Sequence, residues 1–94
     1  MLFRSNSLGF ELYQNEPNPV KAQTAIRFHL AASATATLTV TNVEGRILKT
    51  VKGDFTKGYN TINLQRADLP ASGVLFYQLE TPAGSATKRM VVID

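Results

Sequence analysis

Along most of this chain hydrophobic residues recur at every second position, the period of a β-strand with one face in a core. From Thr24 to Leu30, Ile26, Phe28 and Leu30 point one way and Arg27 and His29 the other. From Thr35 to Asn42, Leu38 and Val40 point inward, while Thr37, Thr39 and Thr41 suit the wet face of a strand. Val43-Glu44-Gly45-Arg46 predicts a tight hairpin turn, with Ile47 to Val51 as the return strand. Gly53 to Gly58 reads as a polar connection interrupted by Phe55. Tyr59 to Leu64 is the next strand, with Ile62 and Leu64 inward.

Leu69-Pro70-Ala71-Ser72-Gly73 is a turn, combining the fixed φ of proline with the tolerance of glycine for unusual angles. The apolar run behind it, Val74 to Glu80, puts Leu75, Tyr77 and Leu79 on one face and Val74, Phe76 and Gln78 on the other. Apolar residues on both faces predict a central strand covered on both sides. Thr81 to Ser85 is a hairpin loop. Ala86 to Ile93 closes the chain, with Met90 and Val92 on one face and Val91 and Ile93 on the other.

At the other end, residues 1–9 are polar and irregular and read as a linker or tail, with one domain over 10–94. Phe10 to Tyr13 is a short edge strand. Gln14-Asn15-Glu16-Pro17-Asn18-Pro19 stops it, because two prolines in three residues cannot continue a ladder. Ala31 to Ala34 is one turn long with no apolar stripe, hence loop. The result is about seven short strands separated by turn signals, with no amphipathic helix: an antiparallel sandwich. Without a tryptophan or a cysteine pair, a true immunoglobulin domain is disfavoured although the architecture stays open.

Composition removes several classes of function. Ten Lys/Arg against seven Asp/Glu give a net charge of +3, and the charges are scattered, with Lys88-Arg89 as the adjacent basic pair. That is no nucleic-acid footprint. No apolar run approaches the roughly 20 residues of a membrane helix, so no direct membrane insertion is expected. Met1 to Ser7 lacks the apolar core of a signal peptide, so an export address would lie on a longer parent. With no cysteine there is no thiol nucleophile or thiolate metal site. His29 stands alone beside Arg27, and the carboxylates are dispersed, with Asp54 and Asp68 expected in loops. No nucleophile elbow, calcium loop or phosphate loop is present, so neither an enzyme nor a cofactor is expected. Leu69-Pro70-Ala71-Ser72-Gly73 resembles a sortase signal. The residues after it, however, read as a strand of mixed polarity rather than a membrane span and basic tail. Tyr13, Tyr59, Phe55 and Tyr77 could form a sugar-stacking platform, although aromatics near strand ends more often pack the core.

Several pieces, in order, resemble one family. Phe10-Glu11-Leu12-Tyr13-Gln14-Asn15-Glu16-Pro17-Asn18-Pro19 is similar to the opening motif of the C-terminal sorting domain of the type IX secretion system. Asn42-Val43-Glu44-Gly45-Arg46 resembles its hairpin, and Gly58-Tyr59-Asn60 its Gly-x-Asn segment. Leu69 to Tyr77 resembles its Leu-x-Ser-Gly-x-Tyr strand, and Thr87-Lys88-Arg89-Met90-Val91-Val92 its closing segment. Val20 stands where phenylalanine is common, Leu75 where tyrosine is common, and Asp94 where the family often ends in Lys or Arg.

The resemblance implies an all-β, seven-stranded antiparallel immunoglobulin-like β-sandwich acting as a secretion signal. An N-terminal passenger would be exported through the periplasm to the cell surface or beyond. The implied partners are the outer-membrane translocon with its shuttle components, and a surface sortase-like peptidase. That peptidase would cut before the fold and join the passenger to an anionic lipopolysaccharide. Candidate motif or recognition residues are Pro17, Asn18, Pro19, Gly45, Gly58, Asn60, Gly73, Tyr77, Lys88, Arg89, Met90, Val91 and Val92. The three glycines are expected as turn positions. The last strand is expected to offer Lys88-Arg89 and an open edge to a partner, and an unshielded edge would also permit a strand-paired dimer. An accessory carbohydrate- or protein-binding module, or a spacer in a surface protein, is the alternative.

Overall fold

The computed structural model describes residues 9–69 and 72–93. Seven strands form in chain order: β1 (Phe10–Leu12), β2 (Gln23–Leu30), β3 (Ala34–Asn42), β4 (Ile47–Phe55), β5 (Gly58–Gln65), β6 (Gly73–Thr81) and β7 (Gly84–Val92). They make two antiparallel sheets, ordered β1-β2-β5 and β4-β3-β6-β7. This is the all-β, seven-stranded, immunoglobulin-like sandwich expected. The alternation explains the layering. Ile26, Phe28 and Leu30 of the smaller sheet face Leu38, Val40, Leu75, Tyr77 and Leu79 of the larger, each no more than 1% exposed. Phe28 of β2 meets Phe55 of β4 edge-on, with ring centroids 5.1 Å apart.

Besides the β6–β7 loop, expected over Thr81 to Ser85 and shortened to Pro82 and Ala83 because Thr81 pairs with Gly84 and Glu80 with Ser85, two features differ from the sequence pattern. β4 runs on to Phe55, because β3 is long enough to pair it: Ala36 faces Gly53, Thr35 faces Asp54 and Ala34 faces Phe55. Gly53 and Asp54 are poor strand formers, and the ladder overrides that preference. Asp54 is therefore a strand residue, and its carboxylate accepts a hydrogen bond from Thr35 Oγ1 at 2.6 Å. The connection to the other sheet shrinks to Thr56 and Lys57. The second difference concerns β6. It lies between β3 and β7, but only its Leu75, Tyr77 and Leu79 face is covered. Val74 is 39% exposed and Gln78 is open to solvent, because a two-layer sandwich has no third layer to cover them.

The turns use the expected chemistry. Asn42 Oδ1 accepts from the backbone N–H groups of both Glu44 and Arg46 at 2.9 Å, closing the β3–β4 hairpin. Gly45 has φ +86°, which a side chain would strain. Gly73 starts β6 at φ +111°; Pro70 and Ala71 before it lie outside the described residues. Gly58, at φ +107°, opens β5. Asn60 Nδ2 donates to the carbonyls of Thr56 and Gly58 at 2.9 and 3.2 Å, pinning the crossover. The proposed linker 1–9 falls outside the described residues except for Gly9, whose carbonyl accepts from Ala31 N–H at 2.9 Å.

Candidate functional site

Chain 13–20 leaves the smaller sheet and crosses to the larger one, and this strap organises the surface around β7. Its path begins as a continuation of β1: Tyr13 N–H donates to Arg27 C=O at 3.0 Å, and Glu16 exchanges both backbone bonds with Ala25. Prolines then remove donors and block further pairing with β2. Both the Glu16–Pro17 and Asn18–Pro19 peptide bonds are cis. Beyond them Val20, fully buried, pairs in parallel with Val92 of β7. Val20 N–H donates to Val91 C=O at 2.7 Å, and Ile93 N–H donates to Val20 C=O at 2.9 Å.

Side chains complete the seal. Gln14 Nε2 donates to Arg89 C=O at 2.6 Å, and Asn18 Oδ1 accepts from Val91 N–H at 2.9 Å. The backbone edge of β7 from Arg89 to Ile93 is therefore taken by the chain's own strap. A partner strand cannot add there without displacing it.

Tyr77 anchors the strap from below. It stands on the core face of β6, fully buried, and its hydroxyl reaches up between the sheets. That hydroxyl accepts from Asn15 N–H at 2.8 Å and donates to Tyr13 C=O at 2.7 Å. Asn15, only 1% exposed, donates through Nδ2 to Thr24 Oγ1 and to Pro17 C=O at 3.0 and 3.2 Å. Thr24 Oγ1 in turn donates to Pro17 C=O. Every buried polar side-chain atom among the described residues has a partner, as a polar network inside a sandwich requires.

Burial raises the Tyr77 hydroxyl to about 12. Ionisation is thus easier in the unfolded chain. The stability supplied by the neutral hydroxyl holds up to about pH 10 and is lost as pH climbs towards 12, a loss of about 2–3 kcal/mol. Tyr13 is also raised to about 12, by desolvation and by Glu11, so the comparison that isolates Tyr77 is wild type against Tyr77→Phe. Chemical denaturation at pH 9 and at pH 11.5 should show the wild type losing more stability than the variant. Equal losses would refute the assignment.

The remaining candidates are divided between core and surface. Met90 and Val92 are buried core residues and Val91 is half-buried under the strap. Lys88 shares the inward parity of Met90 and Val92 and sits half-buried opposite Tyr77, whereas Arg89 lies on the outer face opposite Phe76. The adjacent pair is thus split between two faces. Pro17, Asn18 and Pro19 are exposed along the strap. Of the four aromatics, Tyr13 and Tyr59 come together on the outer face of the smaller sheet, centroids 6.3 Å apart, and His29 meets Tyr59 edge-on. Tyr13 and Tyr59, with Gln14, Glu16, Ala25 and Arg27, line a shallow groove. Tyr77 and Phe55 are turned into the interior instead. Sequence reasoning takes Gln14 and Asn15 as part of the segment that stops the first strand and misses their bonds. The one signal for them is a buried-capable amide placed directly before a proline turn.

Among the described residues no three His, Asp or Glu side chains come together in a possible metal cluster. Asp68, in the 3-10 turn Arg66–Asp68, is held below its ordinary range by the Gln65 backbone N–H and by Lys49 at 3.5 Å.

No curated protein sequence matches the chain. Among solved structures it is similar to PorZ, an essential bacterial surface component of the type-IX secretion system of Porphyromonas gingivalis. The identity is 21% and the TM-score 0.57, over 88% of this chain and 11% of that one. It is also similar to a protein described as a beta-galactosidase of Bacteroides fragilis, at 14% identity and TM-score 0.51, over 92% of this chain and 16% of that one. This chain therefore spans a small fraction of either protein, and the likeness is one of fold. A family model described as the secretion system C-terminal sorting domain matches residues 16–93, which takes in the strap from Glu16 onward and strands β2 to β7. The chain belongs to the family of type IX secretion system C-terminal sorting domains.

Proposed function

We propose that this domain is a non-catalytic C-terminal secretion signal on a longer protein, directing an N-terminal passenger through the type IX outer-membrane translocon. The observation that carries the reading is the family match over 16–93. The matched span is a two-sheet module whose buried polar side chains are all partnered among the described residues. Its recognition surface is the strap laid over β7, where Pro17, Asn18 and Pro19 stand exposed with Asn18 on Val91 and Gln14 on Arg89. A surface sortase-like peptidase cuts N-terminal to β1 and attaches the passenger to the cell surface.

The test is an export assay. Residues 1–94 are fused behind a signal peptide and a fluorescent reporter, in a host with the type IX machinery and in one lacking its translocon. Reporter at the surface or in the medium of the first host alone is the expected result, with a shortened product marking cleavage. Reporter held in the periplasm of both hosts, with the domain folded, would refute the reading and favour a binding or spacer module. Arg89→Gln should lower export several-fold without changing stability, because the side chain is exposed and outside the core. Lys88→Gln, half-buried on the other face, should not.

A further inference from the structure

The sandwich has four strands in one layer and three in the other, and its edges differ in how well they are guarded. The edge of β7 is closed by the strap from Arg89 to Ile93, and β7 itself carries the charges of Lys88 and Arg89. β1 is three residues long and runs directly into the strap. β4 carries Lys49, Lys52 and Asp54 and is bent by an irregularity opposite Val40/Thr41, the usual guards of an edge strand. β5 has none of these. Its eight residues, Gly58–Gln65, contain no charge and no proline, and they pair with β2 in unbroken register.

Parity identifies which backbone groups of β5 are open. On β2, Arg27 C=O and both backbone groups of Ala25 are bonded on the side away from β5. The alternate residues Thr24, Ile26, Phe28 and Leu30 therefore bond to their partners Leu64, Ile62, Asn60 and Gly58. Tyr59, Thr61 and Asn63 consequently turn both N–H and C=O outward, and among the described residues these groups have no partner. Gln65 ends the free stretch, since its N–H donates to Asp68 Oδ2 at 2.9 Å.

Across the layer gap lies β4, whose Leu48, Val51 and Phe55 pack on the core yet remain partly exposed, in contrast to Ala36, Leu38 and Val40 of β3. A strand beside β5 would cover them. We propose that the β5 edge and this shelf form a docking site for one extended polypeptide segment of another protein. The segment adds as an eighth strand, with alternate apolar residues over Val51 and Leu48. Lys49, Lys52 and Lys57 border the site. Lys49 and Asp68 pair with each other, which leaves Lys52 and Lys57 against Asp54, a small positive excess that favours a neutral or weakly acidic segment. A second copy of this chain does not fit. Pairing β5 with β5 would bring the copy's own β3 into the space that β4 fills. The site is a property of the fold and goes beyond the sorting reading.

The test uses the intact chain, nitrogen-labelled, titrated with a synthetic peptide of alternating valine and threonine with a glutamate at each end. The N–H signals of Tyr59, Thr61 and Asn63 should shift and become slow to exchange, while those of Asn60, Ile62 and Leu64 stay protected throughout. Thr61→Pro and Asn63→Pro each remove an outward N–H without breaking the β2 ladder, and each should weaken binding about tenfold or more. Thr61→Val should bind as wild type. If one proline variant fails to fold, the other gives the answer. Shifts confined to other strands, no binding, or undiminished binding by the folded proline variants would overturn the proposal. So would a dimer in sedimentation that the same prolines abolish, since that would put a second copy on the edge.

Discussion

Tyr77→Ala should destabilise the domain by about 5–7 kcal/mol, ring and hydroxyl together, a large share of the roughly 5–15 kcal/mol that holds a small domain together. The ring is fully buried on β6, and its hydroxyl is the central post of the strap. Tyr77→Phe separates the two contributions. It keeps the ring but leaves Asn15 N–H and Tyr13 C=O without their partner, at a cost of about 2–3 kcal/mol. Denaturant unfolding measures both changes. Hydrogen exchange adds a local readout, because in Tyr77→Phe the amides of Asn15, Val20 and Val91 should exchange faster as the strap lifts from β7. A cost for Tyr77→Phe under about 0.5 kcal/mol, the range of an ordinary surface change, would mean that the strap is held by its other bonds.

The second large effect is expected at Phe28. Its side chain is fully buried on β2, the middle strand of the smaller sheet, and meets Phe55 edge-on at 5.1 Å. Phe28→Ala should cost about 3–5 kcal/mol, the lost transfer energy plus the cavity left between the sheets. Phe55→Ala should cost less, because Phe55 is only partly buried. The two changes should be non-additive by about 0.5–1.5 kcal/mol, the direct coupling of an aromatic pair. That coupling also checks the length of β4. A Phe55 in a polar loop would show none, whereas a Phe55 held at the end of β4 shows the full coupling.

The period-two pattern of Thr24–Leu30, Thr35–Asn42 and Tyr59–Leu64 is enough to place three strands and their buried faces. Burial of alternate residues is a local property that each strand carries in its own sequence. Gly45 and Gly73 mark turns for a reason just as local: each adopts a positive φ that a side chain resists. The ordered motifs around Pro17, Gly45, Gly58, Gly73 and Lys88 are sufficient for the family.

Pairing between distant segments is not legible. Gly53 and Asp54 are weak strand formers, and only the length of β3 beside them makes them strand. Gln14 and Asn18 bond to β7 residues more than seventy positions away, at Arg89 and Val91. No local pattern announces that the strap closes the edge expected to be open. The same holds for Lys88 and Arg89, adjacent in the chain and parted by the pleat. β5 shows the converse: its own residues reveal a plain uncharged strand, and only the count of strands in each layer leaves it the unguarded edge. Strand identity comes from chain-local burial, whereas which backbone groups stay unpaired depends on how the whole chain closes on itself.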